Sequence, residues 1–221
     1  MALFKDIPQF TECRSGGCTV DWRYLPRHVL HHIEEWELNF DPDFQRGYVW
    51  TPQQKVAYVE YALRGGASGR DIWTNCPGWS AGNTGNYVVV DGKQRVNAVL
   101  SWLNNEFPVF SGNYRRDYTD HLRMTTTFFN WHVNELATRD EVLQWYIELN
   151  AGGTIHDPSE IERVRGLVGK GEWQPWTLDE ARKNIGLERP LFDEVRRQDA
   201  EYAARPLPPL PASPSRKKKR R

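Results

Sequence analysis

Ten consecutive residues, Asn86-Tyr-Val-Val-Val-Asp-Gly-Lys-Gln-Arg95, put a carboxylate, a flexible glycine, two cations and an amide directly after a β-branched run. The pattern predicts a strand over Tyr87–Val90, a turn over Asp91–Arg95 and a helix from Val96 to Leu103. The polar groups then sit at the mouth of a helix, where unpaired N–H groups and a partial positive charge favour anions, phosphate above all. Lys93 and Arg95 are the natural phosphate contacts, Lys93 as a mobile point charge and Arg95 as a planar fork. Asp91 suits a metal ion, or a base that orients water or a hydroxyl, and Gln94 could hydrogen-bond a nucleotide or place a water. Each has a plainer alternative. Asp91 can simply cap the helix, Lys93 and Arg95 can form surface ion pairs of little worth, and Gln94 can be a surface amide.

A second cationic motif, Gln45-Arg46, lies between an acidic turn and the aromatic run Tyr48-Val49-Trp50. Two arginines that converge repel one another unless an anion fills the gap, which is the physical reason to suspect a polyphosphate. The alternative is that Arg46 pairs with Asp41 or Asp43. Asn150 and Gly152-Gly153 end a predicted helix, where glycine serves as a left-handed cap or lets backbone approach a ligand closely. Glu160 has a complete explanation as a capping-box residue.

The 91–95 run resembles the DGQQR motif of the N-terminal domain of GmrSD-type, modification-dependent restriction enzymes, with Lys93 in place of the first glutamine. Three further blocks are similar, in the same order. Asp41-Pro-Asp-Phe-Gln-Arg-Gly-Tyr-Val-Trp50 resembles the family's P-x-F-Q-R-x-Y-V-W block, and Asn75-Cys-Pro-Gly-Trp79 resembles a loop of its phage and bacterial branch. Gln144–Thr154, followed by Glu160, is similar to its L-N-x-G-G-T…E block. The resemblance spans about residues 20–168. It implies a ParB/sulfiredoxin-like α+β fold, a small sheet with several packed helices. It also implies that Arg46 faces the same pocket as the 91–95 turn, and that a nucleoside triphosphate is bound with Mg²⁺ at Asp91.

Composition bounds the rest. The chain of 221 residues suits one domain with an appendage, and ten tryptophans can build a core. No apolar run approaches the about 18 residues of a membrane span, and no secretory h-region opens the chain. Three cysteines, Cys13, Cys18 and Cys76, fit a reducing, intracellular setting better than a disulfide framework, and the resemblance implies the cytoplasm of a bacterial or phage-infected cell. A zinc site from Cys13, Cys18 and His28 or His31 would need a loose C-x₄-C, and His121, His132 and His156 have no partner at metal spacing. There is no P-loop. No His…Asn…His nuclease signature is visible either, so cutting would fall to a separate nuclease or modification enzyme.

The formal charge of zero hides an asymmetry. Arg216, Lys217, Lys218, Lys219, Arg220 and Arg221 are all basic, and without them the body carries a net charge of −6. The tail is thus the evident handle for nucleic acid, tethered by an extended Pro-rich linker from Arg205.

These residues need elements to position them. Leu25, Val29, Leu30, Ile33 and Trp36 fall at helical spacing, and Thr51-Pro52-Gln53-Gln54 reads as a capped helix start that runs to Gly65-Gly66. Strands are predicted at Ile72–Thr74, Phe107–Phe110 and Phe128–Val133. Helices are predicted after Thr138, after Asp157 to about Val168, and after Thr177. Residues 111–126 read as a substrate-facing loop or lid, and residues 1–20 as a loose leader. Residues 21–170 form the expected domain, 171–204 a helical extension and 205–221 the linker with its tail. The functional expectation is a nucleotide-hydrolysing enzyme linked to DNA restriction, modification or phage defence. The alternatives are a sensor of nucleotide or modified DNA, or a phosphotransferase acting on a base or small molecule.

Overall fold

The computed structural model describes residues 11, 16–82, 85–122, 126–151 and 158–204. Gly152, Gly153, the Pro-rich linker and the Arg216–Arg221 tail lie outside the described residues. Four strands, β1 (Gly16–Asp21), β2 (Asp71–Asn75), β3 (Val88–Asp91) and β4 (Phe128–Asn134), form one sheet in the order β1-β4-β2-β3. β4 pairs antiparallel with β1 and parallel with β2, while β2 and β3 are antiparallel. Seven helices pack around it among the described residues: α1 (Leu25–Trp36), α2 (Pro52–Leu63), α3 (Lys93–Leu103), α4 (Arg139–Ala151), α5 (Pro158–Arg165), α6 (Leu178–Ile185) and α7 (Pro190–Ala203). The fold is α+β, as expected.

Strand β3 shows why the sheet needs helices on both faces. Tyr87 and Val89 point into one apolar cluster, with Val29, Ile33, Val99 and Trp131, while Val88 and Val90 point into another, with Phe44, Leu143 and Tyr146. A strand apolar on both faces is stable only when both are covered. α1 buries Leu25, Val29, Leu30 and Ile33 against the first cluster, and α4 buries Val142, Leu143 and Trp145 against the second. Val88 and Val89 are further held by Asn39, which bridges to β3 as a strand stub.

The helix starts follow local chemistry. At α2 the Thr51 hydroxyl accepts from the Gln54 N–H at 3.2 Å, and the Gln54 side chain accepts from the Thr51 N–H at 2.8 Å. Thr138 with Glu141 and Thr177 with Glu180 repeat this exchange at α4 and α6. Each is worth about 1 kcal/mol.

Three expectations are corrected. The leader reading fails at its end, because Gly16–Asp21 is strand β1, paired to β4 along its whole length. Phe107–Phe110 is not a strand; only a single bridge, Val109 to Asn113, forms there. The 171–204 extension holds two helices, α6 and α7, of which the second was not anticipated.

Candidate functional site

The Asp91–Arg95 turn is built where β3 meets α3. Gly92 is the N-cap of α3 at φ +104°, a left-handed conformation, and a Cβ there would run into Ile72. Asp91 accepts the Gly92 N–H at 2.7 Å through one oxygen and pairs with Arg95 at 2.7 Å through the other. Arg95 also donates to the Asp71 carbonyl at 2.8 Å, which ties the helix start to β2. No side chain caps α3, so its first-turn N–H groups remain open to an acceptor.

The second wall is the segment from Asp41 to Trp50, and four residues hold it. The Lys93 ammonium, 2% exposed, bonds the Asp41 carboxylate and the Arg46 carbonyl and lies 4.6 Å from the Tyr48 ring centre. Burial pulls its pKa below the ordinary lysine value, and Asp41 opposes that shift. Gln94 accepts from the N–H groups of Val49 and Trp50 and donates to the Gly47 carbonyl at 2.8 Å. Buried Arg139 grips Asp43 at 2.7 Å, and Arg163 donates to the carbonyls of Asp43 and Phe44. Arg163 is itself clamped by both oxygens of Glu160, at 2.9 and 3.1 Å. Gln45 reaches across to the Val89 carbonyl at 2.6 Å.

The third wall is the end of α4, where Tyr146, Leu149 and Asn150 share one helix face. Together the walls enclose a cleft of about 340 Å³ lined by Gln45, Arg46, Trp50, Val90–Arg95 and those three residues. This lies near the lower end of small-ligand pockets, about 300–1,000 Å³. Arg46 is half-buried there, and its guanidinium has no hydrogen bond or ion pair among the described residues. Tyr146 is 4% exposed, and its hydroxyl has no hydrogen-bond partner among the described residues either. Burial, with Glu160 and Asp91 nearby, pushes its pKa up to about 12, partly offset by Arg46 and Arg163.

The expected convergence of Arg46 with the 91–95 turn is therefore present, but several roles change. Lys93 is not a mobile phosphate contact, because its charge is committed to Asp41. Gln94 is not poised over a substrate; its amide fastens residues 47–50. Gln45 fastens the same wall to β3, and Asn150 donates to the Tyr146 carbonyl of its own helix at 2.7 Å. Arg46 does not pair with Asp41 or Asp43, which Lys93 and Arg139 have already taken. Glu160, expected only as a capping residue, holds the arginine that holds the loop, while its capping partner Asp157 lies outside the described residues. Residues 111–122 and 126 form no lid on this cleft: Arg115, Tyr118 and Leu122 line a separate cavity with Trp102 and Leu63.

The donor set does not fit a resident Mg²⁺. Asp91 is the one carboxylate lining the cleft among the described residues, and both its oxygens are engaged. No group of three or more His, Cys, Asp or Glu that could hold a metal exists among the described residues, the His28/His31 surroundings included. Tyr146, Arg139 and Arg163 were missed as site residues. Tyr146 reads from sequence as one more apolar position of α4, and the two arginines act on a loop 96 and 120 residues away.

Residues 29–132 match the family model of the GmrSD restriction endonuclease, N-terminal domain. That segment belongs to the GmrSD N-terminal domain family. It carries Gln45, Arg46 and the whole Asp91–Arg95 turn, while α4 with Tyr146 and Asn150 lies beyond it. No curated protein and no solved structure matches the chain at a significant level. No helix among the described residues is long and apolar enough to cross a membrane.

Proposed function

We propose that the cleft binds the phosphate end of a nucleotide and hydrolyses it, as one activity of a system linked to DNA restriction, modification or phage defence. The observation that carries this reading is the unpaired Arg46 guanidinium, held in one cleft with the uncapped start of α3 and with Asp91. A half-buried cation without a counter-charge is costly, and a bound anion removes that cost. Lys93 is neutralised by Asp41 and Arg95 by Asp91, so among the described cations that line the cleft Arg46 is the uncompensated one. In this reading Arg46 and the α3 N–H groups hold a phosphoryl group. Asp91, oriented by Arg95, takes the proton of a water whose oxygen attacks phosphorus while the bridging P–O bond breaks toward the leaving phosphate. The family name supports the link to restriction.

The Asp91–Arg95 pair also favours a second reading, in which the domain senses a nucleotide or modified DNA without turnover. Both Asp91 oxygens already accept hydrogen bonds within the fold, which leaves them less available to an attacking water. Incubation of the purified chain with each labelled nucleoside triphosphate and Mg²⁺, with and without DNA, separates the readings. Free phosphate supports hydrolysis, binding without product supports sensing, and label on an added base or small molecule supports phosphoryl transfer. Failure of every nucleotide to bind overturns the assignment of the cleft.

A further inference from the structure

The cleft contains a polar group that neither the family match nor the sequence motifs assign. Tyr146 lies on α4, outside the matched residues 29–132, and its side chain is packed edge-on against Phe44 with ring centres 5.4 Å apart. The ring is thus fixed by the second core, while the residue lines the same cleft as Arg46 and Asp91. Its hydroxyl is not among the sealed polar atoms that lack a partner, so it meets solvent in the cleft, where a ligand acceptor can take the place of water. Among the described residues it has no hydrogen-bond partner, and the charges of Glu160, Asp91, Arg46 and Arg163 act on it. Of these, Arg163 is bound to Glu160 and to the loop carbonyls, and Asp91 is bound to Arg95, which leaves Arg46 as the open neighbour.

We infer that the Tyr146 hydroxyl is a ligand-contacting group that donates a hydrogen bond to the same phosphate oxygen anion that Arg46 holds. Arg46 supplies the charge and Tyr146 a neutral, rigidly aimed donor, so the two form a seat for a single tetrahedral phosphoryl group. The hydroxyl stays protonated across the physiological range, which makes it a donor and never a competing anion. This inference rests on the assignment of the cleft to phosphate.

The test uses the full chain, with inorganic pyrophosphate and the four ribonucleoside triphosphates as probes, each with Mg²⁺, and with Arg46→Gln and Tyr146→Phe as variants. The phenylalanine keeps the ring and its contact with Phe44. Since the hydroxyl makes no bond in the free protein, the variant should melt at or above the wild-type temperature. Its affinity for the tightest probe should fall roughly tenfold to a hundredfold, the range for a hydrogen bond to a charged group. Arg46→Gln should lose at least as much. Equal affinity of wild type and Tyr146→Phe, with Arg46→Gln impaired, overturns the role of the hydroxyl and leaves the phosphate reading intact. A lowered melting temperature for Tyr146→Phe also overturns it, because the hydroxyl would then be bonded within the fold. If wild type binds no probe, the phosphate reading itself fails and the inference falls with it.

Discussion

At the scale of single residues, the Asp91–Arg95 turn divides into groups that face a ligand and groups that hold the wall. Asp91 belongs to both, and two substitutions separate its roles. Asp91→Ala removes the acceptor of the Gly92 N–H and the counter-charge of Arg95, whose Nε is already buried without a partner. A stability loss of about 1–2 kcal/mol is expected, which lowers Tm by roughly 2–8 °C in a domain of this size, and turnover should vanish. Asp91→Asn keeps an oxygen for the Gly92 N–H, so it should recover most of the stability and none of the turnover. If the asparagine variant still turns over nucleotide, the carboxylate is a cap and nothing more. Lys93 gives an asymmetric prediction. Its ammonium is buried while Asp41 is a third exposed, so Asp41→Ala strands a buried charge and Lys93→Met strands only a solvated one. Chemical denaturation should therefore find Asp41→Ala the more damaging by a few kcal/mol. Residue type alone suggested that Lys93 and Gln94 were ligands. What the sequence could not display was their partners, Asp41 and Gly47–Trp50, which lie 44–52 positions away and meet them only once β3 and the 41–50 segment are side by side.

At the scale of elements, legibility follows locality. The starts of α2, α4 and α6 were readable because Thr51 with Gln54, Thr138 with Glu141 and Thr177 with Glu180 meet within one turn. β1 was not, because Gly16-Gly17-Cys18 has little strand character of its own and is extended only by pairing with Trp131–Val133. α7 begins without a side-chain cap and was missed for that reason. α1 carries a property that its apolar periodicity hides. His28 and His32 stack at 4.0 Å between ring centres and pack on Trp131, and desolvation, then the neighbouring histidines, lowers their pKa values to about 4 and about 3. The folded state therefore keeps both neutral where the unfolded chain, at about 6.5, takes up protons. Stability is intact above pH 6.5 and declines as pH falls, by up to roughly 1.4 kcal/mol per group per pH unit, until the folded-state values are reached. Melting curves between pH 7 and 5 should show this decline, and His32→Asn should flatten it. A slope unchanged in that variant would mean that other groups carry the acid sensitivity.

At the scale of the whole molecule, the site exists because two cores meet at β3. One core fixes α1 and α3 and the other fixes α4 and Phe44, and the 41–50 segment is bolted between them by Lys93, Arg139 and Arg163. The cleft is thus an assembly of three segments remote in sequence. The pairing of Arg46 with the 91–95 turn could be expected from two cationic motifs, and on α4 Asn150 was a candidate from the sequence whereas Tyr146 was not. The same scale bears on how the protein would meet DNA. With a net charge of −6 outside residues 216–221, the body repels a polyanion, and most of its arginines on α5, α6 and α7 are already matched to acids such as Glu162, Asp179 and Glu194. The six basic residues at Arg216–Arg221 follow a Pro-rich spacer and carry the counter-charge that the body lacks. Deleting them should weaken DNA association at low salt and leave nucleotide turnover without DNA unchanged, since the cleft is built from residues 45–50, 90–95 and 146–150. Release of counterions makes such a tether steeply salt-dependent, with about 0.9 units of log–log slope per phosphate contacted on duplex DNA. Affinity for a duplex, measured across salt for the full and truncated chains, should lose several units of slope on truncation. An unchanged slope would show the tail to be idle, and the DNA contact would then have to be sought on the arginine-bearing surface around Arg115 and Arg116.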